Sequence, residues 1–124
     1  MMHDSPKRAV RCVRLATEDA PALSSLESRC FALPWTEQAF AEAFAGKTFH
    51  AFGIRETASP LSPRELAGNI AVYHTPDEVE ILNIAVREDR RRHGYGRLLM
   101  ATALQDAKET GILQGVLEVR ISNA

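Results

Sequence analysis

The chain has 124 residues, 45% hydrophobic and 25% charged, which is the composition of one globular domain with a buried core. Fifteen basic and sixteen acidic residues give a net charge of −1, which argues against direct binding of a nucleic acid as the main function. Two cysteines are too few for a disulfide framework, no apolar run approaches the ~20 residues of a membrane span, and the N-terminus lacks a signal-peptide core, so we expect a cytoplasmic protein without a membrane partner.

The first part of the chain is predicted to form a strand followed by two helices. Residues 1–8 are polar and are expected to be a disordered tail, and apolar and basic residues alternate over residues 9–14 as in a strand. Thr17 is the expected N-cap of the first helix, whose apolar stripe runs to Cys30. A second, short helix is expected to begin after Thr36.

The middle of the chain is predicted to form three consecutive strands. Residues 48–54 and 66–74 have strand patterns, and the two prolines of residues 56–64 predict a hairpin loop between them. Gly68 is a candidate β-bulge. Residues 79–86 are largely apolar on both faces, as expected for a strand in the middle of a sheet that is covered on both sides.

The last part of the chain is predicted to form a helix and a final strand. Leu99, Ala103 and Ala107 repeat with helical spacing, Gly111 is the expected end of that helix, and residues 116–121 have a strand pattern. The element order is therefore β-α-α-β-β-β-α-β. Three sequential strands predict antiparallel pairing, and a helix before the last strand requires a parallel crossover, so the predicted fold class is α/β with a mixed sheet.

The most informative sequence is Arg91-x-x-Gly94-x-Gly96, which lies between a strand and a helix. Glycines let a ligand approach the main chain closely, and the following helix N-terminus offers unpaired N–H groups, so the turn predicts a phosphate site suited to pyrophosphate. The spacing matches neither a Rossmann fingerprint nor a P-loop. From spacing alone, a tight left-handed turn beside a solvated basic patch is an equally good interpretation.

The residues around this turn resemble a known superfamily. The turn and the sequence before it, Asn83-Ile84-Ala85-Val86, are similar to the acetyl-CoA signature of the GNAT N-acetyltransferases. Further strings resemble the ribosomal-protein-alanine N-acetyltransferase (RimI) group of that superfamily: Phe31-x-x-Pro34-Trp35, Leu82-Asn83-Ile84-Ala85-Val86 and Leu117-Glu118-Val119-Arg120-x-Ser122-Asn123-Ala124. The resemblance covers most of the chain and implies a GNAT-like acyltransferase fold over residues 9–124.

The resemblance implies that acetyl-CoA is the co-substrate. Main-chain groups of three strand residues would hold the pantetheine arm and the acetyl carbonyl, amides of the turn would bind the pyrophosphate, and an asparagine near the last residue would contact the pantetheine arm. These implied contacts are Ile84, Ala85, Val86, Arg91, Arg92, His93, Gly94, Tyr95, Gly96, Arg97 and Asn123.

The resemblance also implies a general base. A peptide N-terminal amine has a pKa of about 7.7–8.0 and must lose a proton before it attacks a thioester. Glu118 takes this role by resemblance, and Glu80 is the alternative base. Periodicity alone gives each carboxylate a second interpretation, which is an ion pair with Arg120 for Glu118 and a cross-strand ion pair for Glu80.

The implied acyl acceptor is the N-terminal α-amine of a protein, namely a ribosomal protein that begins with alanine. Phe31, Pro34 and Trp35 would line the groove for that N-terminal peptide, although a plug in the hydrophobic core is an equally good interpretation of them. Two alternatives stay open: transfer to a small amine, and an acyl-CoA-binding remnant without turnover. The four histidines have no metal-ligand spacing, so no metal is predicted.

The chain ends at Ala124, where the superfamily continues with a helix and two strands, so residues 9–124 are expected to lack the C-terminal part of the domain. The tyrosine that acts as general acid in the family has no counterpart, since neither Tyr73 nor Tyr95 matches its position. We therefore expect weak or no catalysis from the 124 residues alone. Residues 116–121 would form an open, apolar sheet edge, which a second copy could cover in a homodimer.

Overall fold

The computed structural model describes residues 9–111, 114–116, 120 and 121. Their helices and strands follow one another in the predicted order, with two additional 3₁₀ turns at Thr17–Asp19 and Glu88–Arg90. The strands and α-helices are β1 (Ala9–Arg14), α1 (Ala20–Cys30), α2 (Glu37–Ala45), β2 (Phe49–Thr57), β3 (Gly68–His74), β4 (Glu78–Val86), α3 (Tyr95–Glu109), β5 (Gln114–Val116) and β6 (Arg120–Ile121).

The strands form one mixed sheet. Strands β1 to β4 pair in sequence as antiparallel neighbours, and β5 and β6 pair in parallel with the other side of β4. Helix α3 supplies the crossover that a parallel pair requires. The predicted fold class and element order are confirmed. The predicted last strand, residues 116–121, is described only in part and as two short strands.

The first helix begins later than the sequence predicts. Thr17 lies in a 3₁₀ turn and makes no capping hydrogen bond, so its predicted role as N-cap of an α-helix is wrong. Asp19 closes that turn instead, because its Oδ2 accepts the amide of Ala16 at 2.9 Å. The prediction for Thr36 is confirmed, since its hydroxyl accepts the amide of Ala39 at 3.0 Å. Within the described ranges, no helix is long and apolar enough to cross a bilayer.

Hydrophobic side chains cover both faces of the sheet. Helix α3 packs its buried stripe on one face, with Leu99 fully buried against strand side chains such as Ile70 and Ile81. Helices α1 and α2 cover the opposite face, where Leu23 and Phe40 are fully buried. Each such side chain contributes about 1.5–3 kcal/mol on burial. Strand β4 contributes to both clusters, as its two apolar faces predict.

The sheet contains a bulge, but not at the predicted residue. Gly68 is regularly paired with Val86, so the predicted bulge at Gly68 is wrong. The ladder instead skips Leu82, because Ala71 pairs with Asn83 whereas the next residue of β3 pairs two positions earlier on β4. Gly68 is needed for close packing, since a Cβ there would lie 3.1 Å from Leu99 Cδ1. The bulge turns Leu82 toward the face that carries α1 and α2.

Candidate active site

The glycine turn, defined here as residues 91–97, joins the C-terminal end of β4 to α3. Gly94 has a φ of +79° and directly precedes the helix. Residues other than glycine are disfavoured there, because the left-handed conformation costs them about 1–2 kcal/mol. A Cβ on Gly94 or Gly96 would meet no atom within 4 Å. The two glycines therefore leave open space beside the main chain and do not serve packing.

Five main-chain amides of the glycine turn have no hydrogen-bond acceptor in the part of the chain that the structure describes. They belong to Arg92, His93, Gly94, Gly96 and Arg97. The amide of Leu98, which follows them, donates to the carbonyl of Gly94 at 3.1 Å. Free amides at the positive end of a helix dipole form a surface that attracts anions.

Side chains of the turn add charge and hold its shape. Arg92 and Arg97 are exposed, whereas Arg91 is half-buried and its Nε donates to the carbonyl of Val86 at 3.2 Å. The Nδ1 of His93 lies 2.9 Å from the carbonyl of Arg91, so this nitrogen carries the proton and donates. The two exposed arginines are therefore the cations available to a ligand at this surface.

A buried carboxylate that the sequence analysis places in a loop holds the glycine turn in position. Strand β2 continues through Thr57, so the prediction that a hairpin loop begins at residue 56 is wrong. The side chain of Glu56 is 0% exposed, and its Oε2 accepts from Arg90 Nε at 2.8 Å. The hydroxyl of Tyr95 also donates to Oε2. Arg90 directly precedes the turn and Tyr95 lies within it, so one carboxylate holds the turn at two points.

The charge of Glu56 is stabilised by its partners. Burial alone would raise the pKa of this carboxyl, but hydrogen bonds from Arg90, Ser59 and Tyr95 outweigh that effect and lower the pKa from 4.5 to about 2. Glu56 follows Phe52 and Ile54 at intervals of two residues, on the face that packs against α3. That period is the sequence feature that identifies it as an inward residue.

A second ion pair secures the start of the same connection. Arg87 donates through Nε and Nη2 to the two carboxylate oxygens of Asp89, at 3.0 and 2.9 Å, and through Nη1 to Glu65 at 3.2 Å. The hydrogen bonds from Arg87 lower the pKa of Asp89 from 3.8 to about 2. Bidentate pairs of this kind fix orientation as well as charge. The end of β4 is therefore held to the segment before β3.

A buried carboxylate also lies beside the bulge of β4. Glu27 in α1 is 1% exposed, and both of its oxygens accept from Asn83 Nδ2 at 3.2 Å. Its Oε1 also accepts the amide of Trp35 at a longer 3.4 Å. The sequence analysis did not identify Glu27, although it continues the stripe of Leu23 and Cys30 at helical spacing. Glu27 thus connects β4 to the segment between α1 and α2.

The aromatic segment after α1 is partly core and partly groove. The Trp35 ring lies 5.1 Å from Phe40, and it belongs to the cluster beneath α1 and α2. Trp35 and Pro34 also line an open groove of about 490 Å³, together with Tyr73 of β3. Phe31 does not line that groove and packs against the same cluster. The core interpretation therefore holds for Phe31 and for the Trp35 ring, whereas the role of the groove in peptide binding stays a prediction.

Another cavity, of about 570 Å³, lies between α1 and residues 63–66. It includes Arg87 but none of the residues that the sequence predicts for the site. Its four arginines face three carboxylates, among them the ion pair of Arg55 with Asp19. Asp19 and Glu65 hold two of these arginines, Arg55 and Arg87, in ion pairs.

The strand before the glycine turn has an outer edge that faces away from β3. The β3–β4 ladder directs the main-chain groups of Ala85 toward β3 and those of Ile84 and Val86 away from it. On that outer edge Ile84 is paired with Ile121 of β6, and the carbonyl of Val86 accepts from Arg91. Of the three predicted contacts, only Ile84 and Val86 therefore face the edge that an added strand could use.

Of the two candidate bases, the structure describes Glu80 but not Glu118. Glu80 is half-buried on β4, and its register partner on β3 is Tyr73. The expected cross-strand ion pair of Glu80 is absent from the described residues. Glu118 and Asn123 lie outside the described residues, so their roles remain predictions.

Comparisons with known proteins agree with this geometry. A family model for the acetyltransferase (GNAT) family matches residues 20–124. The ribosomal protein bS18-alanine N-acetyltransferase of Salmonella typhimurium is 33% identical over 110 residues, which cover 89% of this chain and 70% of the relative. The crystal structure of the ribosomal-protein-S18-alanine N-acetyltransferase from Escherichia coli superposes with a TM-score of 0.75 at 31% identity, over 94% of this chain and 70% of that one.

A more distant structure shares the fold alone. The aminoglycoside N-acetyltransferase AAC(6')-Iy, solved in complex with CoA, gives a TM-score of 0.75 at 11% identity, over 95% of this chain and 82% of that one. The predicted acyltransferase fold, acetyltransferase activity and acetyl-CoA donor are confirmed at the level of the family. The chain belongs to the acetyltransferase (GNAT) family.

Proposed function

We propose that this chain transfers the acetyl group of acetyl-CoA to the N-terminal α-amine of a protein, with a ribosomal protein that begins with alanine as the acceptor. Support for the acceptor comes from relatives such as the Salmonella enzyme, which is named for alanine acetylation of ribosomal protein bS18. The structural observation that carries the proposal is the set of five unsatisfied amides in the glycine turn, next to the outer edge of β4.

In this proposal the glycine turn binds the pyrophosphate of acetyl-CoA. The free amides donate to phosphate oxygens, and Arg92 and Arg97 contribute positive charge from either side of the two glycines. The pantetheine arm runs along the outer edge of β4, where Ile84 and Val86 direct their main-chain groups. The Glu56 network keeps the turn in place before the ligand arrives, which reduces the ordering cost of binding.

The acceptor peptide occupies the groove of Pro34, Trp35 and Tyr73 on the opposite side of β4 from α3. A carboxylate takes a proton from the N-terminal ammonium group, and the free amine attacks the acetyl carbonyl carbon. The tetrahedral intermediate then collapses, the carbon–sulfur bond breaks, and CoA leaves as a thiol or thiolate. Glu118 is the proposed base, and Glu80 is the alternative, supported by its register with Tyr73 at the groove.

The test is an acetylation assay with mass-spectrometric detection. The chain is incubated with acetyl-CoA and a peptide that begins with alanine, and a copy of that peptide with a blocked N-terminus is the matched control. We expect one added acetyl group on the free peptide, at the low rate expected of these 124 residues alone, and none on the blocked one. Acetylation of an aminoglycoside or a polyamine with no reaction at the peptide would show that the acceptor assignment is wrong.

A binding titration separates donor recognition from turnover. Acetyl-CoA should bind with 1:1 stoichiometry, and Glu118→Gln should reduce turnover without weakening that binding. Glu80→Gln is the matched variant, since it removes the other candidate carboxylate. If Glu80→Gln abolishes turnover and Glu118→Gln does not, the two roles are exchanged. Acetyl-CoA binding without any acetyl transfer would support the binding remnant instead.

A further inference from the structure

Two histidines and an aspartate converge at the end of the sheet opposite the glycine turn. His50 on β2 pairs in register with Val72, and His74 lies two residues further along β3, so the two imidazoles share a face of the sheet. Their ring centroids are 4.0 Å apart. Asp106 reaches them from α3, and one potential ligand atom from each of the three side chains lies within 4.8 Å of the others.

The cluster contains polar atoms that lack partners in the described chain. His74 Nε2 and Asp106 Oδ2 are both buried without a hydrogen bond and lie 4.0 Å from each other. The whole His74 residue is only 9% exposed. Buried polar atoms in proteins nearly always have a hydrogen-bond partner, so two unpartnered atoms that face each other at this distance indicate a ligand that binds between them. An ion bound between them would satisfy both.

The charge of the cluster suits a cation. Each neutral imidazole offers a ring nitrogen with a lone pair that can bind a metal. Asp106 supplies the negative charge. Arg14, which is half-exposed, already pairs with Asp106 Oδ1 and lies 3.1 Å from His50 Nδ1 through its Nη1. A guanidinium therefore occupies part of the position that a metal cation would take.

We propose that His50, His74 and Asp106 form a binding site for a divalent transition metal of the zinc type. Two imidazole nitrogens and one carboxylate oxygen are a donor set that Zn²⁺ accepts, with water as the fourth ligand. Ligand atoms around tetrahedral Zn²⁺ lie about 3.4 Å apart, as bond lengths of about 2.0–2.1 Å require. The observed separations of up to 4.8 Å must therefore close slightly, and Arg14 must turn toward solvent.

The position of the site in the fold sets its role. Asp106 lines an open groove of about 490 Å³ together with Thr102 and Glu109. Asp106 lies eleven residues after Tyr95 along α3, which is about 16 Å at 1.5 Å per residue. The metal would thus join β2, β3 and the C-terminal half of α3, at a distance from the glycine turn and independently of acetyl transfer.

The sequence cannot reveal this site by ligand spacing. The separations from His50 to His74 and from His74 to Asp106 match no metal motif. The three residues meet because antiparallel strands bring the histidines to diagonal positions and the crossover helix returns over the same face. The proposal therefore departs from the prediction of no metal, which rests on the spacing of the four histidines.

The proposal is tested by metal titration of the folded chain. Zn²⁺ is titrated against a competing chromophoric chelator, and Co²⁺ provides an absorption spectrum of the ligand set. We expect 1:1 binding, a higher melting temperature with Zn²⁺, and a Co²⁺ spectrum without a thiolate band, since no cysteine contributes. His74→Ala and Asp106→Asn should each weaken binding by at least about 10–100-fold, the range measured even for outer-shell partners.

Control variants separate this site from general metal binding. Glu109→Gln removes a carboxylate one turn from Asp106, and His93→Ala removes a histidine from the glycine turn; both should bind Zn²⁺ as the wild type does. Arg14→Met removes the competing cation and should tighten binding, a result that does not depend on whether His74→Ala folds. Absence of stoichiometric binding, equal affinity in all variants, or a thiolate band in the Co²⁺ spectrum would each overturn the proposal.

Discussion

The substitution Glu56→Gln tests whether one buried carboxylate holds the glycine turn in place. Glutamine keeps the shape of the side chain but removes its charge. Arg90, whose side chain is 8% exposed, then remains buried without a counter-charge at Nε. The hydroxyl of Tyr95, which donates to the charged carboxylate in the wild type, is left with the neutral amide oxygen of glutamine as its acceptor. Removal of one partner from a buried pair costs about 3–5 kcal/mol, because the remaining charge is uncompensated.

The lowered pKa of Glu56 leads to a similar figure, because it arises from the same hydrogen bonds. A change from 4.5 to about 2 corresponds to about 3 kcal/mol, at roughly 1.4 kcal/mol per pKa unit. Because the pKa in the folded chain is lowered, this stability is fully present above about pH 4.5 and is lost as the pH falls toward about 2. The wild type should therefore exceed Glu56→Gln in stability by about 3 kcal/mol at pH 7, with a smaller difference at pH 3.

Urea unfolding followed by circular dichroism measures the free energy of unfolding at both pH values. Glu18→Gln is the matched control, since Glu18 is exposed and its replacement should change stability by less than about 0.5 kcal/mol. A loss below about 1 kcal/mol for Glu56→Gln at pH 7 would refute the reasoning. A difference that stays constant between pH 7 and pH 3 would refute the assignment to the carboxylate charge.

Three further predictions concern the turn, the core and the bulge. Gly94→Ala should lower the free energy of unfolding by about 1 kcal/mol because of the positive φ, whereas Gly96→Ala should leave it unchanged. Both variants should bind acetyl-CoA more weakly in calorimetry, because the added methyl group obstructs the free amides. Unchanged affinity in both variants would exclude the pyrophosphate site. Leu99→Ala should lower the free energy of unfolding by about 2–5 kcal/mol in urea titration, since the side chain is fully buried. Glu27→Gln should raise the KM for the peptide and leave the affinity for acetyl-CoA unchanged, because the glutamine NH₂ group would meet the NH₂ group of Asn83. Weaker acetyl-CoA binding by this variant would contradict the assignment of Glu27 to the acceptor side.

Local patterns allow the sequence to predict most of the fold. The helical spacing of Leu99 and Ala103 identifies the buried face of α3, and the apolar run of β4 identifies a strand covered on both faces. The glycine turn is also local, because Gly94 and Gly96 are required within a few residues of one another. Such features depend on neighbours along the chain, which the sequence displays directly.

Contacts between distant residues account for what the sequence does not show. Glu56 stands next to turn-forming residues, so the sequence pattern places this charged residue in a loop. Its buried position depends on a contact with Arg90, which lies 34 positions later in the chain. The bulge at Leu82 is a property of strand register and not of β4 alone. In both cases the deciding partner belongs to another element, and the pattern of a single segment is ambiguous.

The two buried carboxylates divide the work of positioning the site. Glu56 lies on the face of the sheet that carries α3 and bonds to Arg90, just before the glycine turn, and to Tyr95 within it. Glu27 lies on the opposite face and bonds to Asn83 at the bulge and to the amide of Trp35 at the groove. A buried charge is costly unless its partners are held in place, so each carboxylate restricts the segments that it contacts. The donor side and the acceptor side of β4 are therefore fixed by separate networks, and a substitution in one need not disturb the other.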